Sequence, residues 1–192
     1  MSIMVGLIVG VVLTFIRQSG LPELSSVVAL YVSFIRGTPG LIQVLIVYYA
    51  LPTIGLNLAP LPAGIVALGM NSGAYVSEIL RGGLAALPLG QIEAARSMGM
   101  STFLIWRRIL LPQVLVIVLP PLTGEFISLL KASSLLSVIT IVELTRSAQR
   151  IVAITYQPIE LYVAAAMLYF AMCFTLASIS RKLEKLTAAY RL

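Results

Sequence analysis

EAARSMGMSTFLIWRRILLP, residues 93–112, is a polar island in a chain that is otherwise apolar enough to dissolve in lipid. It opens on a carboxylate and two alanines, breaks at Gly99, resumes through Trp106-Arg107-Arg108 and enters a new apolar run at Ile109. Upstream, Pro88 suits the first turn of a helix; Gly99 suits the position just past its end, and Ser101 the cap of the next helix. Within the first helix Ile92, Ala95 and Gly99 line one side, while Gln91, Glu93 and Arg96 point elsewhere. The alanines leave a thin surface that can seat in a groove. A charged helix–turn–helix between two membrane segments is a handle for something outside the membrane.

Composition supports the membrane reading. Of 192 residues, 59% are hydrophobic and 10% charged, against about 25% charged in a soluble domain. The net charge of +6 does not mark a nucleic-acid face, because the basic residues punctuate the apolar runs as topology signals do. The one cysteine, Cys173, lies in an apolar run and can form no intrachain disulfide. There is no histidine and no Cys/His cluster, so a metal site is not expected.

Working outward from the island, the chain reads as a single transmembrane domain over residues 1–192 with about five helical spans. Met1 to Ile16 is apolar and ends at Arg17; sixteen residues fall short of the roughly 20 that cross a bilayer, which points to a start that lacks some residues. Gly20 and Pro22 break that segment. The next stretch, with Leu24, Val27, Val28, Tyr31 and Ile35 at spacings of three and four, suits an interfacial helix or the first turns of the next span. Gly37 to Ser77 contains no charge and accommodates two spans, about Leu41–Ile54 and Leu61–Leu80, the first beginning before Gly37. The polar island, about residues 81–108, follows. Ile109 to Leu130 is a fourth span kinked at Pro120-Pro121. Ala132 to Val142 is too short to span and reads as a re-entrant or core segment. Leu161 to Ser180 is a fifth span, and 181–192 form a short basic tail. With alternating spans, Arg17, Arg36, Arg81, Arg96, Arg107, Arg108 and the tail share one side, so the positive-inside rule makes the island and the C-terminus cytoplasmic and the N-terminus external.

Catalysis within the chain is not expected. No glycine-rich loop precedes a lysine in the phosphate-binding pattern GxxxxGK[ST], and the carboxylates are scattered. Any thermodynamic work draws on a partner or an ion gradient. Uncharged polar groups at membrane depth, Gln43 and Asn71 among them, need partners in protein or water and should face inward. Glu125 lies roughly 20 Å along its helix from Pro112 at ~1.5 Å per residue. An ionisable group at that depth is a candidate pathway residue; the competing reading is an outer-interface carboxylate paired with Lys131 or a loop arginine. Asn71 and Gln43 are weaker pathway candidates, since interhelical hydrogen bonding alone explains such residues. Glu78 and Arg81 read as a structural pair one helical turn apart.

The spacing Glu93-Ala94-Ala95, three residues, Gly99, nine residues, Ile109, one residue, Leu111-Pro112 resembles the cytoplasmic loop signature of ABC-importer permeases, and every signature position matches. Other stretches are similar to the polar amino acid branch of that family, the histidine-, glutamine-, arginine- and cystine-type importers: YVSFIRGTPGLIQVLIVYYALP, GAYVSEILRGGLAALPLGQIEAARSMGM, ILLPQVLVIVLPPL and KASSLLSVITIVEL. The resemblance runs from about Gly6 onward. It departs at Gly40, where members carry a bulky apolar residue, at Ala132-Ser133, where they carry an acid and a threonine, and at the short N-terminal stretch.

This resemblance implies an all-α membrane protein with the type I ABC-importer (MetI-like) permease fold. It implies an ATPase-coupling role for Glu93, Ala94, Ala95, Gly99 and Pro112, with Glu93 anchoring the coupling helix through its own first turn. The implied partners are ABC ATPase subunits that bind ATP and magnesium, an extracytoplasmic amino-acid-binding protein and a second permease chain; the chain itself carries no cofactor. Two other classes remain open. An ion-coupled secondary transporter predicts inverted repeats and midplane carboxylates, and a non-transport scaffold needs neither the loop spacing nor polar groups at depth.

Overall fold

The computed structural model describes residues 1–187, and the last five residues of the basic tail lie outside it. Nine α-helices carry the described chain: α1 (Ser2–Gln18), α2 (Pro22–Gly37), α3 (Gly40–Ala50), α4 (Pro60–Ala85), α5 (Leu89–Ser97), α6 (Thr102–Ile105), α7 (Leu111–Ala132), α8 (Leu144–Thr155) and α9 (Pro158–Thr187). A π-turn, Trp106–Leu110, joins α6 to α7, and 3-10 turns occupy Leu51–Ile54 and Ser133–Ile139. Among the described residues there is no strand.

α4 is the centre. Eleven of its residues are buried, most of them Gly, Ala or Ser. Small residues let neighbouring backbones approach, which is how helices associate where lipid supplies no hydrophobic drive. The α1–α4 seam shows this in reciprocal form. Val76 of α4 fills the space over Gly10, where a Cβ would lie 2.4 Å from its Cγ1; Val9 of α1 fills the space over Gly73, with 2.5 Å for the same contact. The same seat recurs at Gly83, which receives Val118 of α7. Above the seam, Val44, Ala67, Leu68, Leu129, Leu136 and Ile139 form one core cluster that ties α3, α4 and α7 to the 3-10 turn. Within Ala132–Val142, Leu136 and Ile139 are core, while Val138 and Val142 are exposed.

Two segments differ from the sequence reading. The second span does not run straight from before Gly37, because α2 and the segment Gly40–Ile54 meet at 110°. The cause is local. Pro39 disfavours helical backbone in the residue before it, and Thr38 is extended at φ −119°, ψ 148°. The other difference concerns apolarity. Thr102–Ile139 and Pro158–Lys182 are long and apolar enough to cross a membrane; α4 is not among them, although it is 26 residues long. Gly64, Gly69, Gly73, Gly83, Ser72 and Ser77 of α4 are buried in protein.

Candidate functional site

The polar island forms a small, well-terminated helix. Pro88 is the N-cap of α5 at φ −65°, ψ 121°, one position earlier than a first-turn proline. The helix ends in a Schellman motif: Gly99, left-handed at φ 74°, donates its N–H to Arg96 O at 2.9 Å, and Met100 N–H donates to Ala95 O at 3.1 Å. Ser101 Oγ then accepts from Leu104 N at 3.3 Å and starts α6. Gly99 and Ser101 thus terminate and restart the helix as their residue types predict.

The signature residues do not share one face. Ala95 is 1% exposed and packs with Leu87, Ile105, Leu110 and Val114, with Ile92 against the same cluster. Ala95 is therefore an anchor to the membrane bundle and presents no surface outward. Glu93 and Ala94 are exposed, as are Leu89, Met98 and Phe103, each 73%. Glu93 is also not in the first turn, which holds no acid, because the helix begins at Leu89; a dipole contact at its N-terminus is ruled out by that register. Pro112 is exposed at the start of α7. There the backbone widens to the π-turn, with Leu111 N–H donating to Trp106 O. A contact not foreseen from sequence clamps the two arms. Gln113 Nε2 donates to Gln91 Oε1 at 2.7 Å and to Ile109 O at 2.9 Å.

A second polar group lies halfway along α4. Asn71 Nδ2 donates to Gln43 Oε1 at 2.8 Å. The Gln43 amide is buried and donates in turn to Ile35 O at 2.7 Å and to Thr38 Oγ1 at 2.8 Å. Gln43 thus takes up polar groups freed where Pro39 breaks the helix, and stands behind Asn71. Asn71, Tyr75, Glu125, Ser128, Leu129 and Ala132 line one open pocket between α4 and α7. The structure brings Asn71 and Glu125 together across 54 residues of sequence. No ion pair joins Glu125 to Lys131 or to an arginine among the described residues.

Toward the island end of α4, Glu78 is shared by three arginines. Arg81 binds it with Nη2 at 2.8 Å and Nε at 3.1 Å, Arg17 of α1 bonds it directly, and Arg36 of α2 stands 3.6 Å away. Arg36 also lies 5.4 Å from the centroid of the Tyr75 ring, which links this cluster to the pocket. Spacing alone revealed only the Glu78–Arg81 member, since the other two arrive from separate helices. Glu143, by contrast, is an N-cap, accepting from Thr145 N at 2.9 Å and Arg146 N at 2.6 Å and from Tyr169 Oη of α9 at 2.8 Å.

Comparison with known proteins agrees along nearly the whole chain. The family described as binding-protein-dependent transport system inner membrane component matches residues 2–188. The L-cystine transport system permease protein TcyB of Bacillus subtilis (strain 168) is 38% identical over 186 residues, 96% of this chain and 80% of the relative. The glutamine transport system permease protein GlnP of Escherichia coli (strain K12) is 36% identical over 94% of this chain and 83% of its own length. Among solved structures, an amino acid ABC transporter crystallised with histidines superposes with a TM-score of 0.89 at 38% identity, covering 96% of this chain and 86% of that one. The inward-facing MetNI methionine ABC transporter matches in fold, with a TM-score of 0.77 at 22% identity over 97% of this chain and 87% of that one.

Proposed function

The chain belongs to the family of binding-protein-dependent transport system inner membrane components, and from that premise we propose that it is the permease subunit of an ATP-driven importer of polar amino acids. The names of its relatives, permeases for cystine and glutamine, support that substrate class. As a membrane component it carries no catalysis; ATP hydrolysis belongs to a partner subunit.

The observation that carries the reading is the two-sided coupling helix. α5 is fixed to the bundle through Ala95, Ile92 and the Gln91–Gln113 bond and offers Leu89, Glu93, Ala94 and Met98 to the exterior. Displacing that face moves α7 directly, because Ala95 packs on Val114 and the α5 glutamine is bonded to α7. The helix α7 bears Glu125 beyond Pro120 and Pro121, so a push at the loop reaches the pocket along one continuous helix. ATP and a loaded binding protein each then need to bind the outward-facing state better than the inward-facing one.

On this reading the chain crosses the membrane five times, with α1, the bent α2–α3 pair, α4, α7 and α9 as the spans; the α2–α3 pair, α7 and α9 have the length and apolarity of spans. The coupling loop and the Arg17, Arg36 and Arg81 cluster lie on the cytoplasmic side by the positive-inside rule. A second permease chain completes the pathway around an axis between the two. Asn71, Tyr75 and Glu125 form the amino-acid passage, where a carboxylate with no ion-pair partner among the described residues favours a substrate ammonium. Gln43 holds Asn71 in place.

The test is reconstitution with candidate ATPase and binding protein, measuring amino-acid-stimulated ATP hydrolysis. The reading expects stimulation in the intact complex and its loss with Glu93→Ala while the binding protein retains its affinity for the amino acid. An ATPase that neither co-purifies nor responds rejects the importer; full stimulation with Glu93→Ala rejects that residue's role.

A further inference from the structure

An apolar groove between α1, α4 and α7 serves neither the coupling face nor the Glu125 pocket. It has a volume of about 230 Å³, and Val11, Phe15 and Leu115 are among the side chains that line it. A second cavity, about 340 Å³, continues it toward the island end and shares Gln18, Leu84 and Trp106 with it. The groove is apolar along the length that faces hydrocarbon, where Phe15 is 72% and Leu115 55% exposed. Its lower part ends at Arg81 and Gln18. Arg81 is the arginine at this mouth, and it belongs to a cluster in which three arginines surround the single carboxylate of Glu78, so the charge there is net positive. Trp106, an amphipathic ring of the kind enriched at headgroup level, stands where the two parts meet.

We propose that this groove is a binding site for an anionic phospholipid, one acyl chain lying along α1 and α7 and the phosphate headgroup at Arg81. The charge pattern selects this occupant. An apolar slot with a basic, tryptophan-flanked end matches a chain with a negative head, and basic pockets between transmembrane helices recognise such heads by the same electrostatics. Bound there, the lipid bridges α1 to the segment that carries the coupling loop into α7.

Trp106 is the one tryptophan of the chain, so its fluorescence reports this site alone. The full chain is reconstituted in phosphatidylcholine bilayers, and a fraction of the lipid is replaced by brominated phosphatidylglycerol or, separately, by brominated phosphatidylcholine. At equal mole fraction the brominated phosphatidylglycerol should quench Trp106 with an effective affinity about fivefold higher, the ratio that one basic residue beside the headgroup supplies. Arg81→Gln should bring that ratio close to one, while Arg150→Gln, on α8 and away from the groove, should leave it unchanged. Leu115→Trp in a Trp106→Phe background reads the apolar part independently and should also be quenched. Equal quenching by the two lipids, or an undiminished preference in Arg81→Gln, overturns the proposal. So does a Trp106 shielded from both lipids, which would mark the groove as a face covered by protein.

Discussion

Helices α4 and α9 are both long enough to cross a bilayer, and they solve opposite problems. α9 is apolar, and among its described residues only Ala165 and Ser180 are buried; Tyr162, Val163, Met167, Leu168 and Phe170 are exposed. α4 is built from small and polar residues and has eleven buried positions. A helix facing hydrocarbon has to be greasy, whereas one enclosed by protein can carry glycine, serine, asparagine and glutamate if their groups are paired. The helix that hydropathy identifies most easily is thus the exposed one, and the one it identifies least easily is the buried centre of the bundle. α9 packs against α7 and α8 along one side, with the Ser180–Thr123 hydroxyl bond at 2.6 Å and the Tyr169–Glu143 bond as its polar ties. α4 is attached by interlocked backbones.

That contrast can be broken by mutation. The largest effect is expected at the α1–α4 seam. Gly10→Val places a Cβ 2.4 Å from Val76 Cγ1 and should cost about 3 kcal/mol, read as lowered resistance of the purified chain to unfolding in SDS. Glu78→Gln comes next. It leaves three arginines without their shared carboxylate and should cost about 2 kcal/mol, below the fully buried case because the side chain keeps 18% exposure. Asn71→Leu strands the Gln43 carbonyl and should cost about 1 kcal/mol, with a larger fall in uptake than in stability. Leu168→Ala on the lipid face of α9 should change stability by no more than about 0.5 kcal/mol. A Leu168→Ala cost equal to that of Gly10→Val would erase the distinction between the two helices.

The helix α5 was legible in sequence because its signals are local. A proline before it, a glycine just past it and a serine to restart the chain are backbone rules that act over a few residues, and Gly99 and Ser101 take those roles. Register was less legible. Glu93 is the fifth residue of a helix that begins at Leu89, outside the first turn even if Pro88 is counted as helical, and nothing local shows that Ala95 turns inward while Ala94 turns out. Polar groups at membrane depth drew attention to Gln43, Asn71 and Glu125 because such groups are costly there. Their arrangement was not visible, since it depends on α2, α3, α4 and α7 converging. The same holds for Glu78, whose neighbour at three residues was evident and whose partners Arg17 and Arg36 were not. The bend between α2 and α3 was written in Thr38-Pro39, but its angle is set by Gln43 and the packing around it.

The proposed amino-acid passage lies between α4 and α7, with α9 as the proposed lipid-facing wall. The most direct test is ATP-driven uptake of labelled amino acid into proteoliposomes holding the permease, its ATPase and its binding protein, comparing Glu125→Gln with Leu168→Ala. The account predicts that Glu125→Gln lowers uptake at least about tenfold, the equivalent of 1.4 kcal/mol in the barrier, and more for arginine than for glutamine, while Leu168→Ala transports as the unaltered chain does. Undiminished uptake by Glu125→Gln would contradict it.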